Sequence, residues 1–195
     1  SHKSAYHAVL LRGLHVHYIY PQPAGKMGIN GPVTAENVDR LLEEHPETKM
    51  VYITSPTYDG VVSDVEQIAE VVHRRKLPLI VDEAHGAHFP FSEQFPKDSV
   101  SCGADVVIHS VHKTLPSLTQ TALIHLNGDL INREKIRYFL GVYQSSSPSY
   151  VMMAGIDQCM EWVSSHRKEF DSFAQRLQEV RAELRKLQAL ELFEV

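Results

Sequence analysis

Four short apolar runs, each bounded by polar or turn-forming residues and separated by helical stretches, constrain this chain more than anything else in it. Leu77 to Asp82 reads Leu-Pro-Leu-Ile-Val-Asp, and Ala104 to His109 reads Ala-Asp-Val-Val-Ile-His. Lys49 to Thr54 and Thr121 to Leu126 are two more. Runs this short, without polar alternation, are those of strands buried on both sides. Strands that alternate with helices imply crossover connections. The expected class is therefore α/β, a mostly parallel sheet covered by helices on both faces.

The remaining elements follow from periodicity and punctuation. Ala5 to Arg12 predicts a helix stopped by Gly13, and His15 to Tyr20 alternates in a way that predicts a strand. Pro21 to Pro32 is rich in Pro and Gly and predicts a loop. Thr34 is placed to cap a helix from Ala35 to about Glu44. Asp64 is placed to cap one from Val65 to Arg75, with Val65, Ile68, Ala69 and Val72 on a single face. From Tyr150 onward the pattern is helical, with a break near Ser164-Ser165 and many charges beyond it.

Composition narrows the function classes. The 195 residues are 43% hydrophobic and 22% charged, enough to bury a core without disulfide or metal staples. A net charge of −5 argues against nucleic acid and against an anionic membrane surface. Cys102 and Cys159 are too few for a disulfide framework and suit a reducing compartment. No apolar run approaches the ~20 residues of a membrane span, and Ser1-His2-Lys3-Ser4 does not open a signal peptide. A cytoplasmic location is expected.

In an open α/β sheet, ligands bind beyond the carboxyl ends of the strands. Asp82, Ala84 and His85 follow one strand here, Ser110, His112 and Lys113 a second, and Thr54 to Thr57 a third. An acid and a lysine one strand–loop–strand unit apart suit pyridoxal phosphate. That cofactor needs an amine for its aldehyde, a carboxylate for its ring nitrogen, and hydroxyls or N–H groups for its phosphate. Taken singly, Asp82 could cap a turn and Lys113 could be a solvated amine. Asp82-Glu83-Ala84-His85 also spells a helicase box, but the phosphate loop that must accompany it is missing from this sequence. The pairs His85/His88 and His109/His112 lack the closed ligand set of a zinc site, so no metal is expected.

Longer segments carry a resemblance. Val-Asp-Glu-Ala-His-Gly-Ala-His-Phe (81–89) and His-Ser-Val-His-Lys-Thr-Leu-Pro-Ser-Leu-Thr-Gln (109–120) are similar to the ornithine/lysine/arginine decarboxylases. Further matches are His2-Lys3-Ser4, Thr54 to Gly60, and Gln144 to Tyr150, in the family's order. The resemblance implies the large domain of a fold-type-I pyridoxal-phosphate enzyme. Lys113 then resembles the lysine whose amine takes up the cofactor aldehyde; it must be neutral to react, which partial burial would favour. Asp82 resembles the carboxylate paired with the ring nitrogen, and Ala84 lies where it would leave room against one ring face. His2 resembles the histidine stacked on the other face, its plain alternative being a helix-start residue. Ser110 and His112 resemble ligands beside the phosphate and the lysine linkage, and His85 could approach the substrate carboxylate. Ser145 and Ser146 resemble a hydroxyl run that reaches the phosphate of a neighbouring subunit.

The implied activity is decarboxylation of a basic L-amino acid (arginine, lysine or ornithine) to a polyamine or its precursor, in a homodimer or higher oligomer with shared sites. Lys113 and His112 are the candidate proton donors. Transamination on the same cofactor, or a non-catalytic homologue serving as a partner, are the alternatives. The family pattern also implies a chain incomplete at both ends. Residues 1–160 would belong to the cofactor-binding domain and 161–195 to a charged helix leading toward a small C-terminal domain.

Overall fold

The apolar runs become a four-stranded sheet with every strand beside its sequence neighbour. The computed structural model describes residues 2–25, 28–145 and 147–193. Helix α1 (Lys3–Arg12) ends where Gly13 turns left-handed at φ 59°. A small antiparallel hairpin follows, β1 (Pro23–Ala24) with β2 (Ile29–Asn30). Next come α2 (Ala35–Glu44), β3 (Val51–Thr54), α3 (Val65–Arg74) and β4 (Leu79–Asp82). A loop with a single 3-10 turn at Phe89–Phe91 leads to β5 (Val106–His109). The one-turn helix α4 (Val111–Thr114), β6 (Leu123–Leu126), α5 (Arg133–Tyr143), α6 (Tyr150–Ser165) and α7 (Arg167–Leu184) complete the order.

Strand order is β3-β4-β5-β6. The first three strands run parallel and β6 runs antiparallel to β5. Mutual register places Ile53, Val81 and Val107 on one face and Thr54, Asp82 and Ile108 on the other. The first face packs on α2 and α3: Val38, Leu42, Val65, Ile68, Ala69 and Val72 share one buried cluster with Val51, Ile53, Leu79, Val81 and Val107. Asp39 ties the two helices through its ion pairs with Arg75 and Arg74. On the other side, Tyr6 of α1 lies close enough to Tyr52 to bear on its ionisation. A second cluster, Ala87, Val111, Leu115, Cys159 and Val163, seats α6 against the loops beyond β4 and β5.

Both anticipated caps form. Thr34 accepts from the Asn37 N–H and Asp64 from the Gln67 N–H. The helix after Tyr150 breaks at His166, one residue past the serine pair.

The strand expected over His15–Tyr20 is not there. Its alternation is real, but no backbone hydrogen bond among the described residues holds 15–21, and Val16, Tyr18 and Tyr20 are all exposed. A strand exists only against a neighbour that takes its N–H and C=O groups. The expected Pro21–Pro32 loop contains the small hairpin. It closes at Gly31, where a Cβ would stand 2.7 Å from the Gln22 carbonyl oxygen. Helix α5 was not anticipated, although Asn132 caps it by accepting from the Lys135 N–H.

Candidate active site

The carboxyl ends of β3, β4 and β5 form one rim, because Thr54, Asp82 and Ile108 stand in register. Asp82 is only 7% exposed. Its two oxygens each accept a hydrogen bond, Oδ2 from the Tyr52 hydroxyl at 3.0 Å and Oδ1 from the Ala84 N–H at 3.2 Å. Tyr52 lies two residues before Thr54 on the same sheet face, which is why its ring reaches the carboxylate. Burial, then the neighbouring Asp82 charge and its hydrogen bond, hold the Tyr52 phenol well above its ordinary range.

The turn after β4 carries Ala84, half-buried, and His85, whose Nε2 is 3.2 Å from Lys113 Nζ. Burial and then the Lys113 charge push His85 below the ordinary imidazole range, while Asp82 pulls the other way. The first two effects favour the neutral ring, to which the lysine amine can donate. The exposed Tyr58 ring meets His85 edge-on at 5.9 Å between centroids. Asp82 and Lys113, expected from two different strand ends, thus both bear on His85. Lys113 itself is exposed, so the partial burial expected for its amine is absent here.

The segment after β5 is ordered from both sides. His112 Nδ1 is 2.9 Å from the Thr121 carbonyl, which takes the ring's proton on that nitrogen and leaves Nε2 available. Ser110 begins α4 without capping it through its side chain. Thr54 Oγ1, Thr114 Oγ1 and His85 Nδ1 are buried without a hydrogen-bond partner among the described residues. Buried polar groups are almost always paired, so such atoms on Thr54, which pairs with Asp82 across the strands, on His85 and on Thr114 next to Lys113 suit a polar ligand. With the exposed Lys113 amine and the buried Asp82 carboxylate, they fit a phosphorylated aldehyde cofactor.

The more distant candidates are not drawn in. His2 is exposed and caps α1, its Nδ1 3.3 Å from the Ser4 N–H, which is the plain alternative for that residue. No hydrogen bond or ring contact among the described residues joins it to Asp82, Ala84 or Lys113. Ser145 is exposed between α5 and α6, its hydroxyl bonded to the Ser147 backbone. Ser146 lies outside the described residues.

The sequence reading missed Glu83. It is 2% exposed and accepts from the Ser99 hydroxyl and N–H at 2.6 and 3.0 Å. Its Oε2 is 2.6 Å from His109 Nε2, and His109 Nδ1 is 3.0 Å from His125 Nε2. Gly86 stands over it, where a Cβ would approach Glu83 Cγ to 2.7 Å. This chain joins the residue after Asp82 to the residue before Ser110. The available signal was a second acid directly after a strand-ending one, with histidines on the two following strands. Among the described residues, His85, His88, His109 and His112 form no convergent metal-ligating set; His17, His45 and Glu47 do.

A mixed, mostly parallel sheet with helices packed on it is the α/β fold of the large domain of the fold-type-I pyridoxal-phosphate enzymes. A crystal structure of mouse CSAD superimposes over all of this chain and 45% of its own with a TM-score of 0.69 at 20% identity. The SepCysS–SepCysE N-terminal domain complex does so over 95% of this chain and 51% of its own, with a TM-score of 0.65 at 14% identity. These likenesses speak for the fold.

The chain belongs to the Orn/Lys/Arg decarboxylase family, whose major domain matches residues 1–195. The uncharacterized protein YaaO of Bacillus subtilis is 40% identical over 163 residues, covering 83% of this chain and 34% of that protein. The arginine decarboxylase of the same organism is 35% identical over 156 residues, 80% of this chain and 32% of the enzyme. A lysine decarboxylase, LdcA of Pseudomonas aeruginosa, is 25% identical over 179 residues, 80% of this chain and 24% of that protein. The chain spans about a third of the length of the first two relatives. Among the described residues no helix is long and apolar enough to cross a membrane.

Proposed function

We propose that this chain carries the cofactor-binding part of a pyridoxal-phosphate-dependent decarboxylase acting on arginine, lysine or ornithine. The observation that supports this best is the meeting of Lys113 with His85 at 3.2 Å beside the buried Asp82, in a chain of this family. When bound, pyridoxal phosphate supplies an electron sink for the carbanion left as CO2 departs.

Each residue then has a defined task. Lys113 holds the cofactor through Nζ, and its contact with neutral His85 steers the amine without adding a second charge. Asp82, braced by Tyr52 and the Ala84 N–H, keeps a proton on the cofactor's ring nitrogen. Ala84 would leave space for the ring, and His2 would cover its other face. Ser110 offers its uncommitted hydroxyl to the phosphate. His112, with Nδ1 engaged by Thr121, has Nε2 free to carry a proton toward the substrate's α-carbon, a task Lys113 can share. His85 is placed to meet the substrate carboxylate.

We further place Ser145 and Ser146 at the phosphate of a partner subunit, in a homodimer; the exposure of Ser145 and its distance in sequence from the rim support this. Residues 1–160 would form the cofactor domain, with 161–195 leading to a smaller one. A role in polyamine formation and a cytoplasmic setting complete the proposal, the latter supported by two unpaired cysteines.

The deciding experiment is the visible absorbance of the protein with added pyridoxal phosphate, then borohydride reduction and peptide mass mapping. A single adduct on Lys113, absent in Lys113→Ala, is expected. CO2 release from arginine, lysine and ornithine then identifies the substrate. Adducts scattered over surface lysines, or full turnover in Lys113→Ala, would overturn the proposal.

A further inference from the structure

Away from the strand ends, three potential ligands converge where the irregular segment 14–22 crosses the end of α2. His17 Nε2 and His45 Nδ1 lie 3.5 and 3.6 Å from the same atom, Glu47 Oε1. One ligand atom from each residue falls within 4.8 Å of the others. The two imidazoles are stacked, with centroids 3.4 Å apart and planes 15° from parallel.

We propose that His17, His45 and Glu47 bind a divalent transition-metal ion of the zinc class. Two neutral imidazoles and one carboxylate are the borderline-soft donor set that such ions prefer over calcium or magnesium. With metal–ligand bonds of about 2.0–2.2 Å, tetrahedral ligands stand roughly 3.3–3.5 Å apart. The two imidazole–carboxylate separations are already close to that. Binding needs the stacked rings to fan apart about their χ2 torsions, which are broad and soft. Water fills the remaining position, because Glu47 and His17 are exposed.

The backbone around the site favours a cation. His45 is the C-cap of α2, where the helix presents its negative end. The turn that follows is fixed before any ion arrives: the Thr48 N–H and hydroxyl both donate to the His45 carbonyl, at 3.1 and 2.7 Å, and Pro46 stiffens the link to Glu47. His17 is the mobile partner in energetic terms, since no backbone hydrogen bond among the described residues holds residues 15–21. The ion would clamp this segment onto α2, in place of the strand pairing it lacks.

The site stands apart from the decarboxylase proposal and is tested without cofactor or substrate. Chelator-treated protein is titrated with CoCl2 and followed by its visible d–d bands and by protease cleavage within residues 14–22. One equivalent of Co2+ without thiolate charge transfer is expected, with slower cleavage when it is bound. His17→Ala and His45→Ala should each weaken this equivalent by more than the roughly 10–100-fold typical of changes behind a metal's own ligands. Glu47→Gln, a near-isosteric change at an exposed position, should weaken it as well, while His15→Ala should not. Failure to take up Co2+, a thiolate band, or unchanged binding in Glu47→Gln and both histidine variants would overturn the proposal.

Discussion

Glu83 and His109 meet at 2.6 Å with both side chains almost wholly buried, and the contact fastens the end of β4 to the end of β5. The residue after Asp82 is thereby tied to the residue before Ser110, so the acid and the lysine loop cannot drift independently. Ser99 and His125 satisfy the remaining polar groups, as buried hydrogen-bonding atoms require.

Removing one partner of such a pair should be severe. Glu83→Ala is expected to cost at least about 1–3 kcal/mol, since it leaves His109 and Ser99 without their acceptor in the interior. Urea unfolding followed by circular dichroism reads the loss directly. A midpoint close to that of the parent protein would show that the contact contributes little.

Tyr52 should titrate late among the 8 tyrosines. Its phenol is held up first by burial and then by Asp82, so in a spectrophotometric titration it should ionise after the exposed tyrosines. Asp82→Asn should bring it down part of the way, because burial remains. A raised value in the native state means that its stabilising contribution is complete below the ordinary value of 10.0 and is lost as pH climbs beyond it. Unchanged titration in Asp82→Asn would remove the carboxylate's part in this.

His85, His88 and His125 are all pushed below 6.5, each by burial first, with Lys113 acting next on His85 and His109 on the other two. A depressed native value contributes stability that is present above 6.5 and is lost as pH falls through the lowered value. The urea midpoint should therefore drop between pH 7 and pH values below 6. His88 sits between Phe89 and Phe95 at 4.9 and 4.8 Å, so His88→Phe suits the niche and should flatten the decline. An equally steep decline would assign the effect elsewhere.

Neither thiol should be reactive. Burial pushes Cys102 up to about 11, against the opposing pull of Lys97, and raises Cys159 as well. Modification by a disulfide reagent at pH 7.5 should be slow in the native protein and complete in urea. Rapid native labelling of Cys102 would mean that its surroundings open readily.

The parts legible in the sequence were those that a local pattern determines. Thr34 and Asp64 cap their helices because a hydroxyl or carboxylate at that position meets an orphan N–H whatever the rest of the fold does. Leu79 to Asp82 is a buried strand because its apolar run has no polar interruption. The contact of Lys113 with His85, the residue three after Asp82, followed from placing each at a strand end. His15 to Tyr20 failed because pairing is a property of two segments, and only one was visible. The direction of β6 and the Glu83–His109–His125 chain were hidden for the same reason: both depend on register between strands distant in sequence. His17 and His45 are separated by a hairpin and a helix, so nothing local announces their contact.

The reversed direction of β6 has a consequence for how this scaffold can vary. Because β6 begins at the rim where β5 ends, residues 110–122 leave and return on adjacent feet, closed at the base by Leu123 opposite His109 and by His112 against Thr121. The Lys113 amine rides on a tethered arch. Doubling the length of a flexible arch costs only about 0.6 kcal/mol in closure entropy. Insertions between Leu115 and Gln120 could therefore reshape the segment around Lys113 while Asp82 stays where the sheet put it.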